Sequence, residues 1–119
     1  MIEQPEGIVI TISAGMLKEK GYRNWLRNFL NAMGREDWIY SMRVGTIPKR
    51  DILYVYLCIG GKVRFRAFYA GGSTGTKQFH DGKVITAKAW VELSGPVERP
   101  VVPVYLKGFR GFRYTEKLF

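Results

Sequence analysis

The hydrophobic pattern changes its period along the chain. Gly7-Ile8-Val9-Ile10-Thr11-Ile12 is β-branched and almost wholly apolar, the composition of a strand buried on both faces. Ser13 follows as a candidate helix N-cap, with Met16-Leu17 in a first short helix. Tyr22, Trp25, Leu26, Phe29, Leu30 and Met33 then recur at helical spacing and form one stripe. Arg23, Asn24, Arg27, Asn28 and Asn31 take the outer face, and Gly34 closes the helix. Beyond Gly34 the period falls to two. Trp38, Tyr40, Met42 and Val44 share one strand face, Ile39, Ser41 and Arg43 the other, and Pro48 ends the run.

Ile52 to Ile59 is a continuous apolar run, which predicts a central strand. Gly60-Gly61 is a two-residue hairpin turn leading into Lys62–Tyr69. An unbroken register from that turn sets Ile59 opposite Lys62, Leu57 opposite Arg64 and Val55 opposite Arg66. Tyr54, Tyr56, Cys58, Val63, Phe65 and Ala67 are then the expected core face, and Arg64 and Arg66 are expected to hold their heads in water. Ala70–Lys77 reads as a flexible loop and His80-Asp81-Gly82-Lys83 as a turn. Val84–Leu93 alternates, with Ile85, Ala87, Ala89, Val91 and Leu93 on one side and Thr86, Lys88, Trp90 and Glu92 on the other. Gly95-Pro96, Pro100 and Pro103 predict an irregular link, and Phe109–Tyr114 a closing strand. These elements describe a single α+β domain over residues 1–119. Its expected architecture is one main helix packed on a small curved sheet or partly closed β-barrel.

Composition narrows the function classes. A chain of 119 residues buries enough surface to fold without disulfides. It holds no run of 18 apolar residues, so no membrane span is expected. Glu3 and Glu6 stand where a signal peptide would be basic, and Cys58 has no partner for a disulfide, which together favour a cytoplasmic home. One cysteine, one histidine (His80) and scattered carboxylates give no metal-ligand spacing, and no metal or other cofactor is expected. His80 reads as a surface turn residue and Cys58 as a small buried hydrophobe.

The charge is concentrated. Residues 49–77 hold six basic residues against one acidic, and residues 99–119 five against one; they account for the net +9 of the whole chain. Both segments interleave cations with rings, in Lys62-Val63-Arg64-Phe65-Arg66-Ala67-Phe68-Tyr69 and in Lys107-Gly108-Phe109-Arg110-Gly111-Phe112-Arg113-Tyr114. Cations beside flat rings suit a polyanion with stackable bases. Gly71-Gly72-Ser73-Thr74-Gly75-Thr76-Lys77 lacks the GxxxxGK[ST] order of a nucleotide-binding loop, though Lys77 remains a phosphate candidate. Arg43 stands just before a turn carrying Lys49-Arg50. It is placed either to meet a phosphate or to pair with Glu36 or Asp37.

The order of elements resembles the PUA-like superfamily, and within it the ASCH-type domains. The resemblance covers about residues 8–70. It rests on the strand Ile8–Ile12, the helix Tyr22–Met33 ending in Gly34, a strand carrying Arg43, the turn Ile47-Pro48-Lys49-Arg50-Asp51, the tyrosine-rich strand Ile52–Cys58 and the start Gly60-Gly61-Lys62 of the next. It implies a small pseudo-barrel with a helix-lined cleft that binds RNA or modified nucleobases. Hydrolytic members carry a Lys and a Thr after the helix and a Glu on a later strand. Here Arg35-Glu36-Asp37-Trp38 follows Gly34, so Glu92 lacks those partners.

The expected function is a nucleic-acid-binding module, RNA favoured. Arg43, Lys49, Arg50, Arg64, Arg66, Lys77, Arg110 and Arg113 would meet phosphates, with Tyr114, Phe112 or Trp90 stacking on a base. The alternative is a small enzyme acting on a modified nucleoside or base in the helix–barrel cleft, lined by Arg43, Tyr54, Tyr56 and Glu92 and with no catalytic residue assigned. An acidic protein partner fits the same charge.

Overall fold

The computed structural model describes residues 4–12, 18, 21–34, 39–79, 81–107, 109 and 111–119. The elements run β1 (Gly7–Thr11), α1 (Tyr22–Met33), β2 (Tyr40–Val44), β3 (Tyr54–Ile59), β4 (Lys62–Gln78), β5 (Val84–Glu98), β6 (Val104–Tyr105) and β7 (Phe112–Thr115). Among the described residues they form a small α+β fold, with the helix Tyr22–Met33 packed on a mostly open, mixed sheet of seven strands. The sheet order is β2-β5-β4-β3-β1-β7, with β6 pairing the start of β4. β1 runs parallel to β3, and the other pairings are antiparallel. The expected Ser13 cap and the short helix around Met16-Leu17 lie outside the described residues, as does Trp38.

The helix follows its periodicity. Trp25, Phe29 and Met33 are buried, with Leu26 and Leu30 partly buried beside them. Trp25 stacks on Phe29 at 5.1 Å, and Phe29 meets Tyr40 edge-on at the same separation. Gly34 ends the helix, its amide donating to Leu30 O at 2.9 Å. The outer residues Arg23, Asn24, Arg27, Asn28 and Asn31 are all exposed. They do little for the helix itself: each Asn is up to about 0.7 kcal/mol worse than Ala. α1 therefore depends on its buried stripe. That stripe lies on one face of the sheet with Ile8, Ile10, Val55, Leu57, Ile59, Phe65, Ala67, Met42, Val91 and Leu93. Both edge strands turn toward the same core, β2 through Tyr40 and Val44 and β7 through Phe112 and Tyr114.

The β3–β4 hairpin departs from the simple register. Gly60 and Gly61 turn with φ of 60° and 78°, so the turn itself forms as its sequence predicts. Ile59 pairs Lys62 and Cys58 pairs Val63, but Leu57 then pairs Phe65, Tyr56 pairs Arg66 and Val55 pairs Ala67. Arg64 is the extra residue of a β-bulge. Beyond a bulge every side chain changes face relative to an unbroken strand. The expected core face is therefore corrected: Val63 lies with Val9, Tyr56 and Cys58, whereas Phe65 and Ala67 lie on the helix side. Both faces are covered, the second by Val104, Leu106, Phe109, Leu118 and Phe119.

Two further expectations change. Ala70–Lys77 is not a loop; it continues β4 and pairs β5 through Gln78↔Val84. Glycine signalled flexibility there, but its use is to admit the register shifts at Tyr69/Gly71 and Ser73/Gly75. Likewise Gly95-Pro96 falls inside β5. Gly95 lies under the end of the helix, where an added Cβ would stand 2.5 Å from Met33 O. Gly95→Ala should therefore destabilise the protein by roughly 1–3 kcal/mol, read as a lower thermal midpoint. An unchanged midpoint would mean that α1 does not sit on β5 as closely as described.

Candidate nucleic-acid interface

Three of the expected residues are brought together by contacts spanning most of the chain. The Tyr114 hydroxyl on β7 accepts the backbone amides of Lys49 at 2.9 Å and Arg50 at 3.3 Å. The Arg50 guanidinium lies 5.7 Å from the Tyr114 ring centroid. Tyr114 is placed for this because β7 pairs β1 antiparallel, which turns its ring to the core face, edge-on to Phe112 at 5.6 Å. A single phenol thus fixes the backbone of a turn that carries two exposed cations. Asp51 is the one acid in that stretch.

The same turn borders a groove of about 310 Å³ lined by Gly45, Thr46, Ile47, Pro48, Lys49, Thr74, Lys88 and Ala89. Ile47 holds the turn over β4, its Cγ2 in the space where Gly72 has no side chain. Arg43 is exposed on β2, directly opposite Trp90 of β5. Lys88 falls two residues from Trp90, on the same face and diagonal to Arg43. Lys88, Thr46 and Thr74 were not singled out by sequence reasoning. Lys88 stood on the polar side of its strand pattern, but no local signal told that β2 and β5 are neighbours.

The remaining expected cations are placed elsewhere. Arg64 is exposed, with its Nε donating to Ile59 O at 3.3 Å. It stands at the far end of β3 from Lys49-Arg50, about 17 Å of strand away. Arg113 is opposite Val9, so it points to the other sheet face from Tyr114; its guanidinium lies 4.5 Å from the Phe109 ring. Arg110, His80, Glu36 and Asp37 lie outside the described residues.

Arg66 corrects the expectation of a solvated head. The bulge turns it opposite Tyr56, and it is 8% exposed. Its guanidinium is bonded to Glu98 at 2.5 Å and to the main-chain oxygen of Phe119, between the rings of Tyr54 at 4.4 Å and Phe119 at 5.0 Å. It has no face to offer a phosphate. Lys77 is similarly engaged, 2.7 Å from Glu92, which also accepts from the Ser73 hydroxyl at 3.0 Å. Trp90 is buried at 2% exposure, donates to Gly75 O at 2.9 Å and meets Phe79 edge-on, so it is no platform for a base. The hydrogen bond from Lys77, against the opposing effect of burial and with help from Ser73, holds the Glu92 carboxyl below its usual range.

A second groove, of about 540 Å³, runs beside the contact between the end of α1 and β5. It is lined by Leu30, Met33, Gly34, Ser94, Gly95, Pro96 and Val97, none of which is a carboxylate, lysine or arginine. Compared with family models, curated proteins and solved structures, the chain finds no match.

The two arginines of the bulge should separate on substitution. Arg66→Ala is expected to lower stability by roughly 1–3 kcal/mol, less than for a fully buried pair because Glu98 is half in water. Arg64→Ala should stay within about 0.5 kcal/mol. Urea unfolding of each variant reads the difference, and equal losses would contradict the placement. Glu92 adds a pH dependence. Its folded-state pKa is depressed, so its contribution is present above the ordinary carboxylate range and is lost as pH falls through the folded value. Glu92→Gln should lower the thermal midpoint at neutral pH, with the gap to the parent protein closing below about pH 4. A gap that widens in acid would reverse the assignment.

Proposed function

We propose that this protein is a nucleic-acid-binding module that favours single-stranded RNA, with its contact surface at the Lys49–Arg50 turn. The observation that carries this is the turn's fixation: two exposed cations have their amides held on Tyr114 beside a groove that also holds Lys88, Thr46 and Thr74. Cations whose backbone is already ordered lose less entropy on meeting phosphates. Arg43 on the neighbouring strand extends the surface. Hydroxyls such as Thr46 and Thr74 suit the 2′-OH of a ribose, and phosphate contact supplies the salt-dependent affinity. The net charge of +9 supports the same polyanionic partner. So does the PUA-like order of elements over residues 8–70, because RNA binding is what that resemblance implies. In this reading the open sheet is a partly closed relative of that barrel, its edges approaching where Tyr114 meets the turn after β2.

Titration of a fluorescent single-stranded RNA at two salt concentrations tests the proposal. Each phosphate contact should contribute about −0.7 to the slope of log affinity against log salt. Lys49→Ala with Arg50→Ala should make the slope shallower by about 1.4 and lower the thermal midpoint only slightly, since both side chains are exposed and Arg50 gives up its contact with the Tyr114 ring. A parent protein that binds no single-stranded RNA at low salt sinks the proposal.

A further inference from the structure

The exposed face of α1 is a second surface with its own chemistry. Arg23, Arg27 and Asn31 form one row at i, i+4 and i+8, and Asn24 and Asn28 a row beside it. All five are exposed, and the helix Tyr22–Met33 contains no acidic residue. Two arginines four apart repel along a helix, and asparagine is a poor helix former, so this face is not arranged to hold the helix together. The opposite stripe of Trp25, Phe29 and Met33 is buried and stacked, which makes α1 a rigid base for whatever the outer face meets.

Arg and Asn are the side chains that read purines. The arginine fork matches O6 and N7 of guanine, and the asparagine amide matches N6 and N7 of adenine. Arg23 to Asn31 spans about 12 Å of helix, the reach of about two extended nucleotides. Duplex RNA hides its base edges in a deep, narrow major groove, whereas a single strand presents them. We propose that the outer face of α1 contacts purine bases of single-stranded RNA, with Arg23 and Arg27 supplying charge and guanine contacts and Asn24, Asn28 and Asn31 supplying base-edge hydrogen bonds. This rests on the nucleic-acid reading above but uses none of the residues of the Lys49–Arg50 turn. It assigns that turn to affinity and the helix to base preference.

The test compares short purine-only and pyrimidine-only single-stranded RNA oligonucleotides, and a duplex DNA, on three proteins: the parent, Asn24→Ala/Asn28→Ala/Asn31→Ala, and Lys49→Ala/Arg50→Ala. The parent should prefer the purine strand by about tenfold. The triple asparagine variant should lose most of that preference, keep its pyrimidine affinity and its salt slope, and melt no lower than the parent, because alanine is the better helix former. The double lysine–arginine variant should bind both strands more weakly with the purine preference intact. A triple variant that keeps the purine preference, or a parent that binds RNA without any preference, overturns the assignment of α1 while leaving the turn's role standing. Tighter binding to duplex DNA, lost in the triple variant, overturns the single-strand assignment. No RNA binding by the parent overturns both proposals.

Discussion

One inserted residue sets the character of the sheet. With Arg64 accommodated as a bulge, Phe65 and Ala67 reach the helix-side core and Arg66 is carried to the opposite face. Without it, Arg66 would stand opposite Val55, among the apolar residues beneath α1, where a guanidinium has no acceptor. With it, Arg66 meets Glu98, a main-chain oxygen and two rings. The bulge thus solves a problem of charge as much as one of register. The second face then needs its own cover, which Val104 of β6 and the residues Leu106, Phe109, Leu118 and Phe119 provide.

The same device appears along the far half of β4. Register shifts near Gly71 and Gly75 let that part of the strand coil against β5, so that Ser73, Gly75, Lys77 and Phe79 all reach Trp90 or Glu92. A stretch with the composition of a loop becomes a strand because β5 offers it a ladder out to Gln78, interrupted by the register shifts, and a large indole to close on. The polar pair Lys77–Glu92 is retained as an internal fastening of this hairpin, whereas the cations of the turn, of β2 and of the helix stay at the surface.

Periodicity was sufficient for α1, whose bounds follow its apolar stripe, and for the helix side of β5, where Ala89, Val91 and Leu93 are buried, but not for its other side, where Trp90 is buried too. Gly60-Gly61 gave its turn for local reasons too. The failures share a cause. The bulge at Arg64 is decided by which face tolerates Arg66, and that depends on Glu98 and Phe119, 32 and 53 residues away. Trp90 looked available because its strand neighbours are polar, yet β4 folds over it. The candidate surface was half legible: Lys49-Arg50 stood out as a basic turn, but Tyr114 as its anchor and Lys88 as its neighbour required the sheet order.

That sheet order also constrains how the molecule is made. β1 sits between β3 and β7, so one of its sides waits for a strand roughly a hundred residues later. During synthesis the apolar segment Gly7–Thr11 first gains a partner when β3 emerges, and keeps a bare edge until Phe112–Thr115 is available. A ladder closed so late makes folding depend on long-range contacts and slows it. The nascent chain therefore presents an open strand edge to edge-to-edge association until β7 pairs with β1.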